Sequence, residues 1–449
     1  MSRQEVVLVT DAGGRGDVLA EAYANSPHVA TVFVAPGNDM NPLHKNAPVE
    51  RVPHVGLKDP QAMVEFCIKH GITLVDVCQD NAVAAGFGNA LDVAGIPYIG
   101  PTREAGMIES DKKFSRVLGT ENNVAQPRYF EATTMNEGVE YFLNELGGEK
   151  AFVKFLYLIG GKGAIGGEGI DEVKAAITLV QKMGGDGKYL IEEWLEGDDG
   201  SSGEEVSIFT ISDGKSRQYL GAAQDHKRAF DGDLGENTGG MGAVSTPLII
   251  SDKFLRESYA QVIDRTLRGL QDRRTPYKGV QYASIMAVMR NGVLRQYKIE
   301  DNARWGDPEA QVIIPAIKND FLELGHVVAN GSLAHIDIAR DQIVRVAVAG
   351  VSKGYPGKHD QVKGKRIKGL DEARKIRGVR LYGAGVKIID GVPYADGGRL
   401  FYIVGEGKDV NQARNNAYAA MEHISVEGDG LHYRTDIGHK DVNRLIQAA

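Results

Sequence analysis

The sequence predicts a mixed α/β and α+β protein built from several domains. Three observations support this prediction: the chain has 449 residues, its strand and helix patterns change along its length, and glycine accounts for 56 residues. At about 150 residues per domain, the length allows roughly three domains. The glycines follow no collagen-like period, so they belong to loops and turns, where backbone amides can approach phosphate closely.

The first part of the chain, residues 1–104, alternates apolar strand patterns with helix patterns. Strands are predicted at 6–10, 29–35 and 72–77, and a helix over 60–70 carries an apolar stripe. This alternation predicts a doubly wound parallel sheet, whose ligands bind at the carboxyl ends of its strands. One crevice is therefore expected to gather the polar residues that follow these strands: Gly13, Gly14, Arg15, Asn38 and Asp80.

The remaining sequence divides into two further units. Residues 105–325 combine strands and helices without strict alternation, which predicts an α+β domain. Residues 330–449 add a small α+β domain with an amphipathic helix over 410–424. No internal repeat and no low-complexity segment is present in the sequence.

The charge and the cysteine content argue against several classes of protein. The formal net charge of −8 disfavours a nucleic-acid-binding surface, which needs a basic face. Cys67 and Cys78 are the only cysteines, so neither a disulfide framework nor a Cys-based zinc site is expected, and a reducing cytoplasm is the expected location. No secretory pattern and no apolar run of about 20 residues is found, so no membrane association is expected.

The segment 297–311, YKIEDNARWGDPEAQ, carries the strongest chemical signal. Glu300, Asn302 and Arg304 alternate along a predicted strand, so their side chains should project from one face. The carboxylate and amide oxygens suit Mg²⁺, which keeps phosphate and water in its other positions. The guanidinium can neutralise charge that develops on a transferred phosphoryl group. The segment therefore predicts a nucleotide-metal site.

Two segments fit nucleotide contacts, each with a plainer alternative. The glycine-rich loop around Lys162 fits a lid over ATP phosphates, but a simple hairpin turn explains it as well. Glu192 or Glu193 fits an acceptor for the adenine amino group, and Glu205 fits a ribose contact. By themselves, these glutamates are better explained as a solvated strand edge.

Two further segments fit substrate contacts. QDHKR at 224–228 and the loop at 235–242 supply cations, a carboxylate and exposed backbone amides. The alternative is a solvated charge run beside a surface loop, but four glycines in the eight residues 235–242 argue against it. A protein nucleophile is not predicted, because no G-x-S-x-G elbow is present and neither cysteine has a cationic setting.

Three motifs together are specific: QDHKR at 224–228, NTGGMG at 237–242, and E-x-N-x-R-x-GDPE at 300–309. In this order and spacing, the sequence resembles the glycinamide ribonucleotide synthetase family of ATP-grasp ligases nearly end to end. The resemblance implies a pre-ATP-grasp sheet in the first domain, an ATP-grasp fold over 105–325 with a lid at roughly 125–195, and a small C-terminal domain.

The resemblance also implies the chemistry. Glycine and ATP would form glycyl phosphate, and 5-phosphoribosylamine would displace phosphate to give glycinamide ribonucleotide. The implied cofactors are ATP and Mg²⁺ or Mn²⁺. The expected partners are these small molecules alone, with neither nucleic acid nor membrane, and the expected assembly is a monomer or a weak homo-oligomer.

The matching motifs carry the family's site residues over to this sequence. The metal positions are Glu300 and Asn302. The catalytic positions are Arg304, Asp225 and Lys227. The nucleotide positions are Lys112, Lys154, Lys162, Glu192, Glu193, Leu195 and Glu205. The substrate positions are Gly13, Gly14, Arg15, Asn38, Asp80, Asn237, Thr238, Gly239, Gly240, Asp307 and Glu309.

The sequence departs from the family mainly where the amine substrate is expected. The family's GGREH reads GGRGD at 13–17, and its GPE reads CQD at 78–80. In the metal segment, EFN reads EDN, and Asp301 is expected to face away from the metal. The alternative function is therefore a divergent ATP-grasp ligase that joins a different amino acid to a different amine. A third interpretation is a nucleotide-binding relative without catalysis.

Overall fold

The computed structural model of the protein describes residues 4–44, 46–159 and 163–448. The elements of its first region are, in chain order, β1 (Glu5–Asp11), α1 (Gly14–Ala24), β2 (Val29–Pro36), β3 (Val49–Arg51), α2 (Pro60–His70), β4 (Leu74–Asp76), α3 (Asp80–Ala85), α4 (Phe87–Ala94), β5 (Tyr98–Ile99) and α5 (Met107–Ser110).

These five strands form one parallel sheet in the order β3-β2-β1-β4-β5, which confirms the predicted doubly wound sheet. Val7, Leu8 and Val9 are all fully buried, because helices cover both faces of such a sheet. The segment 82–94, rich in small residues, predicts one helix, but the structure has two. The first ends at Gly86, whose φ of 86° does not continue a helix.

The central region contains more strands than the first. Its elements are α6 (Lys112–Glu121), β6 (Tyr129–Ala132), α7 (Met135–Asn144), β7 (Lys150–Phe155), β8 (Ala164–Glu168), α8 (Gly169–Gln181), β9 (Tyr189–Glu193), β10 (Glu204–Asp213), β11 (Arg217–Asp225), β12 (Arg228–Phe230), β13 (Leu234–Asn237), β14 (Gly242–Ser245), α9 (Asp252–Ser258), α10 (Asp264–Asp272), β15 (Lys278–Arg290), β16 (Val293–Asn302), α11 (Ala310–Ile313) and α12 (Phe321–Ala329).

The last region is also mixed. Its elements are β17 (Val344–Ser352), β18 (Ile367–Lys368), α13 (Leu370–Arg374), β19 (Val379–Gly383), β20 (Val386–Ile389), β21 (Val392–Ala395), β22 (Arg399–Gly407), α14 (Val410–Met421), β23 (Ser425–Val426), β24 (Leu431–His432) and α15 (His439–Ala448). The helices that the structure describes are all too short or too polar to cross a membrane.

Two more sheets surround the site. The small sheet has the order β6-β9-β7-β8 and packs on α7 and α8 around Val153, Ile177 and Ile191. The large sheet runs β16-β15-β10-β11-β14-β17-β22-β19. Strand β14 of the central region pairs in antiparallel fashion with β17 of the last region. The two regions therefore share one continuous sheet. This pairing brings residues of the last region beside the predicted site.

A bulge at Ile299 shapes the end of β16. The partner strand pairs Ser284 with Glu300 but Ile285 with Lys298, which leaves Ile299 as the extra residue. The Ile299 carbonyl is thereby free of the ladder and accepts a hydrogen bond from Arg116 Nη2 at 2.7 Å. The bulge therefore links β16 to α6 immediately beside Glu300.

Candidate active site

A central cavity of about 310 Å³ lies where the three sheets meet. The small sheet and the large sheet contribute side chains to its lining, and the region of the parallel sheet contributes residues of α1, α3 and α5. The predicted site residues that line it are Arg15, Asp80, Lys112, Lys154, Glu192, Asp225, Lys227, Thr238, Gly239, Glu300, Asn302, Arg304, Asp307 and Glu309. The fold thus brings predicted nucleotide, metal and substrate positions into one space.

A second cavity of about 540 Å³ adjoins the first and shares Asp307 and Arg399 with it. Gly13 and Asn38 line this second cavity rather than the central one. Six predicted residues that the structure describes line neither cavity: Gly14, Glu193, Leu195, Glu205, Asn237 and Gly240. Lys162 lies outside the described residues.

The metal segment has the predicted alternation only in part. Glu300 and Asn302 belong to β16, which ends at Asn302. The prediction that Arg304 lies on the same strand is wrong, because the chain bends after residue 302. The Arg304 side chain nevertheless turns back, and its Nη2 donates to Asn302 Oδ1 at 2.9 Å. Asn302 Nδ2 in turn donates to Glu300 Oε1 at 3.5 Å.

The oxygen ligands at this site fit a hard cation that takes its remaining ligands from a bound phosphate and from water. Within the described part of the chain, no group of three or more His, Cys, Asp or Glu side chains is arranged to hold a metal. Glu300 and Asn302 offer only two side-chain oxygen donors, which suits Mg²⁺ completed by phosphate and water. The Asn302 oxygen faces Arg304, so the carboxamide would turn over to present that oxygen beside Glu300.

Three lysines surround Glu300. Burial raises the pKa of Glu300, but the positive charges of Lys227, Lys154 and Lys112 lower it by more. The net pKa of this carboxyl is therefore below its ordinary value. Burial lowers the pKa of Lys112; Glu300 opposes this shift and Lys154 adds to it. Glu300 is therefore negatively charged at neutral pH, as a metal ligand must be. The lysines place positive charge where a polyphosphate would lie.

Glu192 belongs to a buried ionic network in the lining of the cavity. Arg116 contacts its two oxygens at 2.7 and 2.9 Å, and Lys154 contacts it at 2.6 Å. Burial opposes ionisation, but Arg116 and Lys154 lower the pKa of Glu192 to about 2. Glu193 pairs with Arg128 and Arg290. Both glutamates are thus engaged within the protein, in contrast to the prediction of a carboxylate free to meet adenine.

Asp225 and Lys227 line the same cavity as the lysines of α6 and β7. Burial raises the pKa of Asp225 well above its ordinary value; Lys227 opposes this shift, and Glu309 adds to it. Lys227 forms an ion pair with Glu205 and lies 3.9 Å from Glu300. Asp225 is therefore suited to accept a proton, while Lys227 keeps its positive charge.

Comparison with known sequences identifies the family of the chain, which the geometry of an ATP site alone does not. Family models of phosphoribosylglycinamide synthetase match three consecutive parts of the chain: the N domain at residues 5–109, the ATP-grasp (A) domain at 110–310, and the C domain at 345–440. The chain belongs to the phosphoribosylglycinamide synthetase family. This finding confirms the resemblance predicted from the three motifs.

Relatives in this family match along the whole chain. Phosphoribosylamine–glycine ligase of Neisseria meningitidis serogroup B is 34% identical over 443 residues, which cover 98% of the chain and 100% of that relative. The crystal structure of phosphoribosylamine–glycine ligase from Thermotoga maritima has a TM-score of 0.78 at 24% identity, covering 96% of the chain and 100% of that structure.

A protein with different chemistry has the same architecture. The biotin carboxylase domain of 2-oxoglutarate carboxylase from Hydrogenobacter thermophilus has a TM-score of 0.70 at 15% identity, covering 96% of the chain and 91% of that domain. At such identity, the likeness establishes the fold alone. Any assignment of substrate therefore has to come from sequence relatives and from the site itself.

Residues 13–15, at the start of α1, and Asn38 are tied into their surroundings. Arg15 donates from Nη1 to the Trp305 carbonyl at 2.7 Å and from Nη2 to Asp11 at 2.8 Å. Asn38 donates to the Gly383 carbonyl at 3.2 Å. A Cβ on Gly14 would lie 2.3 Å from the Tyr402 ring, so this glycine permits close packing on the last region. Much of the predicted substrate loop therefore has a structural task.

The altered pair at 16–17 belongs to the same structural arrangement. A Cβ on Gly16 would lie 2.8 Å from the Asp11 side chain, so the position has no room for a glutamate. Asp17 is buried and accepts hydrogen bonds from Asn41 at 2.7 Å, from His44 at 2.9 Å and from the Gly383 amide at 2.7 Å. The substitution thus connects the first region to the last region.

Some site residues were not predicted from the sequence. Arg399 donates to the carbonyls of Gly239 and Asp307, and thereby holds the 237–242 loop from the last region. Its segment, residues 397–399, fits the family pattern, but nothing in it indicated contact with the site. Arg116 had a usable signal, because it lies one helical turn after Lys112. Glu109, which contacts Arg304 at 2.9 Å, had none.

Proposed function

We propose that this protein ligates glycine to 5-phosphoribosylamine, using ATP and releasing ADP and phosphate. The observation that supports this most is the meeting of Glu300, Asn302 and Arg304 in one cavity of a phosphoribosylglycinamide synthetase family member. A relative that matches over its full length, phosphoribosylamine–glycine ligase of Neisseria meningitidis, supports this activity. The cavity also provides cations for a triphosphate and a carboxylate for proton transfer.

In the first step, a carboxylate oxygen of glycine attacks the γ-phosphorus of ATP. The bond from that phosphorus to the β–γ bridging oxygen breaks, which yields ADP and glycyl phosphate. Arg304 would stabilise the charge on the transferred phosphoryl group, and Lys112 would neutralise the polyphosphate. No protein nucleophile is required, in agreement with the absence of a suitable serine or cysteine motif in the sequence.

We propose Mg²⁺ or Mn²⁺ as the cation of this site, held by Glu300 and Asn302. When bound, such a cation neutralises phosphate oxygens and fixes their orientation. The depressed pKa of Glu300 keeps the carboxylate ready as a ligand across the neutral range. The two-ligand set agrees with the preference of Mg²⁺ for sites that phosphates complete.

In the second step, the amine of phosphoribosylamine attacks the carbonyl carbon of glycyl phosphate. The carbon–oxygen bond to phosphate breaks, an amide forms, and the nitrogen loses a proton. Asp225 would accept that proton, since burial raises its pKa and makes its carboxylate a stronger base than an ordinary aspartate. The departing phosphate retains one oxygen that began in glycine.

The altered residues Gly16 and Asp17 favour this function over a ligase with a different amine. Neither residue lines the central cavity or the second cavity. Their change therefore alters an interdomain contact and leaves the space for substrates as it is. Gln79 and Asp80 do line the central cavity, so a different amine would be recognised through them.

The test is ADP release from the purified protein with Mg²⁺-ATP, glycine and phosphoribosylamine freshly formed from ribose 5-phosphate and ammonia. We expect ADP release to require both co-substrates and mass spectrometry to detect glycinamide ribonucleotide. Parallel reactions contain other amino acids or other amines. Turnover with a different pair, but none with glycine and phosphoribosylamine, would replace this proposal with the divergent ligase.

A further inference from the structure

Glu109 occupies a position in the site that no motif indicated. It lies on α5, before the central region begins, and only 8% of the residue is exposed. One carboxylate oxygen accepts the Ala303 backbone amide at 2.8 Å. The other lies 2.9 Å from Arg304 Nη2. A single buried carboxylate therefore holds both the backbone before Arg304 and the guanidinium itself.

The Arg304 guanidinium depends on few other partners. Nη2 also donates to Asn302 Oδ1 at 2.9 Å, and Nη1 donates to the Trp305 carbonyl at 3.1 Å. Its Nε is buried and has no hydrogen-bond partner among the described residues. Because a guanidinium is a rigid planar fork, fixing its two terminal nitrogens also fixes the direction of the remaining N–H.

Asn302 and Glu109, which both contact Arg304 Nη2, differ in their other roles. Asn302 is also the proposed cation ligand, and its oxygen would turn toward Glu300 in that role. Its amide nitrogen would then face Arg304, where a donor meets a donor and no hydrogen bond forms. Glu109 has no second ligand role, so it can hold Arg304 in both arrangements.

We propose that Glu109 is a positioning residue that aims Arg304 at the terminal phosphoryl group of the nucleotide. The inference rests on the proposed role of Arg304 and extends it to a residue outside the family motifs used above. It predicts that loss of Glu109 weakens contacts to the γ-phosphate but not to the rest of the nucleotide. It also predicts that this loss acts only through Arg304.

The first variant is Glu109→Gln. Both oxygens of Glu109 accept hydrogen bonds, so an amide must turn its NH₂ toward either Ala303 N–H or Arg304. The probes are Mg²⁺-ADP and the non-hydrolysable analogue Mg²⁺-AMP-PNP, titrated calorimetrically. We expect AMP-PNP binding to weaken about 10-fold, the effect of one charge-assisted hydrogen bond. ADP binding should change less than about 2-fold.

A double-mutant cycle tests whether the effect passes through Arg304. Glu109→Gln should weaken AMP-PNP binding in the wild-type protein but have almost no effect in the Arg304→Ala background. Glu104→Gln is the matched control, because Glu104 is a nearby carboxylate that accepts a hydrogen bond from Asn89 at 2.8 Å and does not line the central cavity. It should leave both nucleotide affinities unchanged.

Equal losses of ADP and AMP-PNP affinity, or additive effects in the cycle, would overturn the proposal and indicate a purely structural role. If Glu109→Gln does not fold, Glu109→Asp retains the charge and should show the same selective loss at smaller size. Unchanged AMP-PNP affinity in a folded Glu109→Asp and Glu109→Gln pair would equally overturn it. These titrations contain no glycine and no amine, so their result is independent of whether the proposed ligase substrates are correct.

Discussion

On the nucleotide side of the central cavity, Glu300 and Lys112 line the open space, whereas at the start of α1 Arg15 and Asp17 are bonded within the protein. The side chain of Glu300 is 40% exposed, and Lys112 lines the same cavity. By contrast, Arg15 and Asp17 are buried, and their polar atoms contact Trp305, Asp11 and the last region.

The comparison separates side chains placed to act on a ligand from side chains that join two regions of the chain. Side chains that act on a ligand need a free face and a defined charge. Side chains that join two regions need only a partner of complementary chemistry, and the partner can change with them. Asp17 illustrates this, because its carboxylate is matched by His44 and Asn41.

The largest expected effect is that of Arg304→Ala on catalysis. The change removes charge stabilisation made mainly in the transition state, so kcat should fall by about 10²- to 10³-fold. Steady-state ADP release, with circular dichroism to verify folding, measures this effect. The kcat of Arg304→Lys should lie between those of the wild type and Arg304→Ala, because lysine keeps the positive charge but lacks the planar guanidinium fork. A kcat near the wild-type value would show that Arg304 is not beside the transferred group.

The next effect in size concerns Asp17 in the first turn of α1. Asp17→Ala leaves three hydrogen-bond donors, two of them buried, without their acceptor, which should cost about 3 kcal/mol in the free energy of unfolding. Chemical denaturation measures this cost, and kcat of the folded variant should change little. The control is Asp59→Ala, which removes an exposed N-cap of α2 and should cost about 1 kcal/mol. Equal costs would show that the Asp17 contacts are not special.

A smaller effect is expected from Glu300→Gln on metal dependence. Replacing the carboxylate with a neutral amide should raise the Mg²⁺ concentration for half-maximal activity by at least about 10-fold. The control is Asp301→Asn, because Asp301 pairs at 2.7 Å with buried Lys298. That variant should lower thermal stability without moving the Mg²⁺ midpoint. The same midpoint shift in both variants would refute the assignment of Glu300.

The smallest effect is a pH-dependent one at His44. Burial lowers the pKa of His44, but Asp17 raises it above its ordinary value overall. The pair therefore contributes fully below the unfolded histidine pKa of about 6.5 and loses this contribution as pH rises through the higher folded pKa. Burial opposes ionisation of Asp17, but His44 and its other partners lower its pKa. This second contribution is lost only as pH falls through that depressed value.

Urea denaturation of wild type and His44→Gln at pH 5.5 and pH 9 measures this dependence. The destabilisation by His44→Gln should be larger at pH 5.5, by about 1 kcal/mol. A destabilisation that is the same at both values of pH would show that the Asp17–His44 contact carries no titrating charge.

The sequence alone predicted the parts of this protein that depend on local pattern. The apolar runs before residue 104 gave the parallel sheet, and strand alternation placed Glu300 and Asn302 on one face. The sequence pattern could not predict the bend that moves Arg304 off the strand. It also could not predict the bulge at Ile299, which frees a carbonyl to accept a hydrogen bond from Arg116. Both depend on the partner strand and on neighbouring helices.

Contacts between distant segments were beyond prediction for the same reason. Asp17 meets Gly383 across 366 positions, and Arg399 reaches Asp307 across 92. Neither contact leaves a periodic trace in the sequence. The paired carboxylates of Glu192 and Glu193 show the converse, since an open strand edge was the plain interpretation and tertiary packing supplied cations instead.

The most direct test follows the oxygen atoms of glycine. Turnover of glycine labelled with ¹⁸O in both carboxylate positions, with unlabelled ATP and phosphoribosylamine, is analysed by mass spectrometry of the released phosphate. A glycyl phosphate intermediate requires one ¹⁸O atom in each phosphate and one in the amide product. Unlabelled phosphate during productive turnover would contradict attack of the carboxylate on ATP, and with it the reaction assigned to the central cavity.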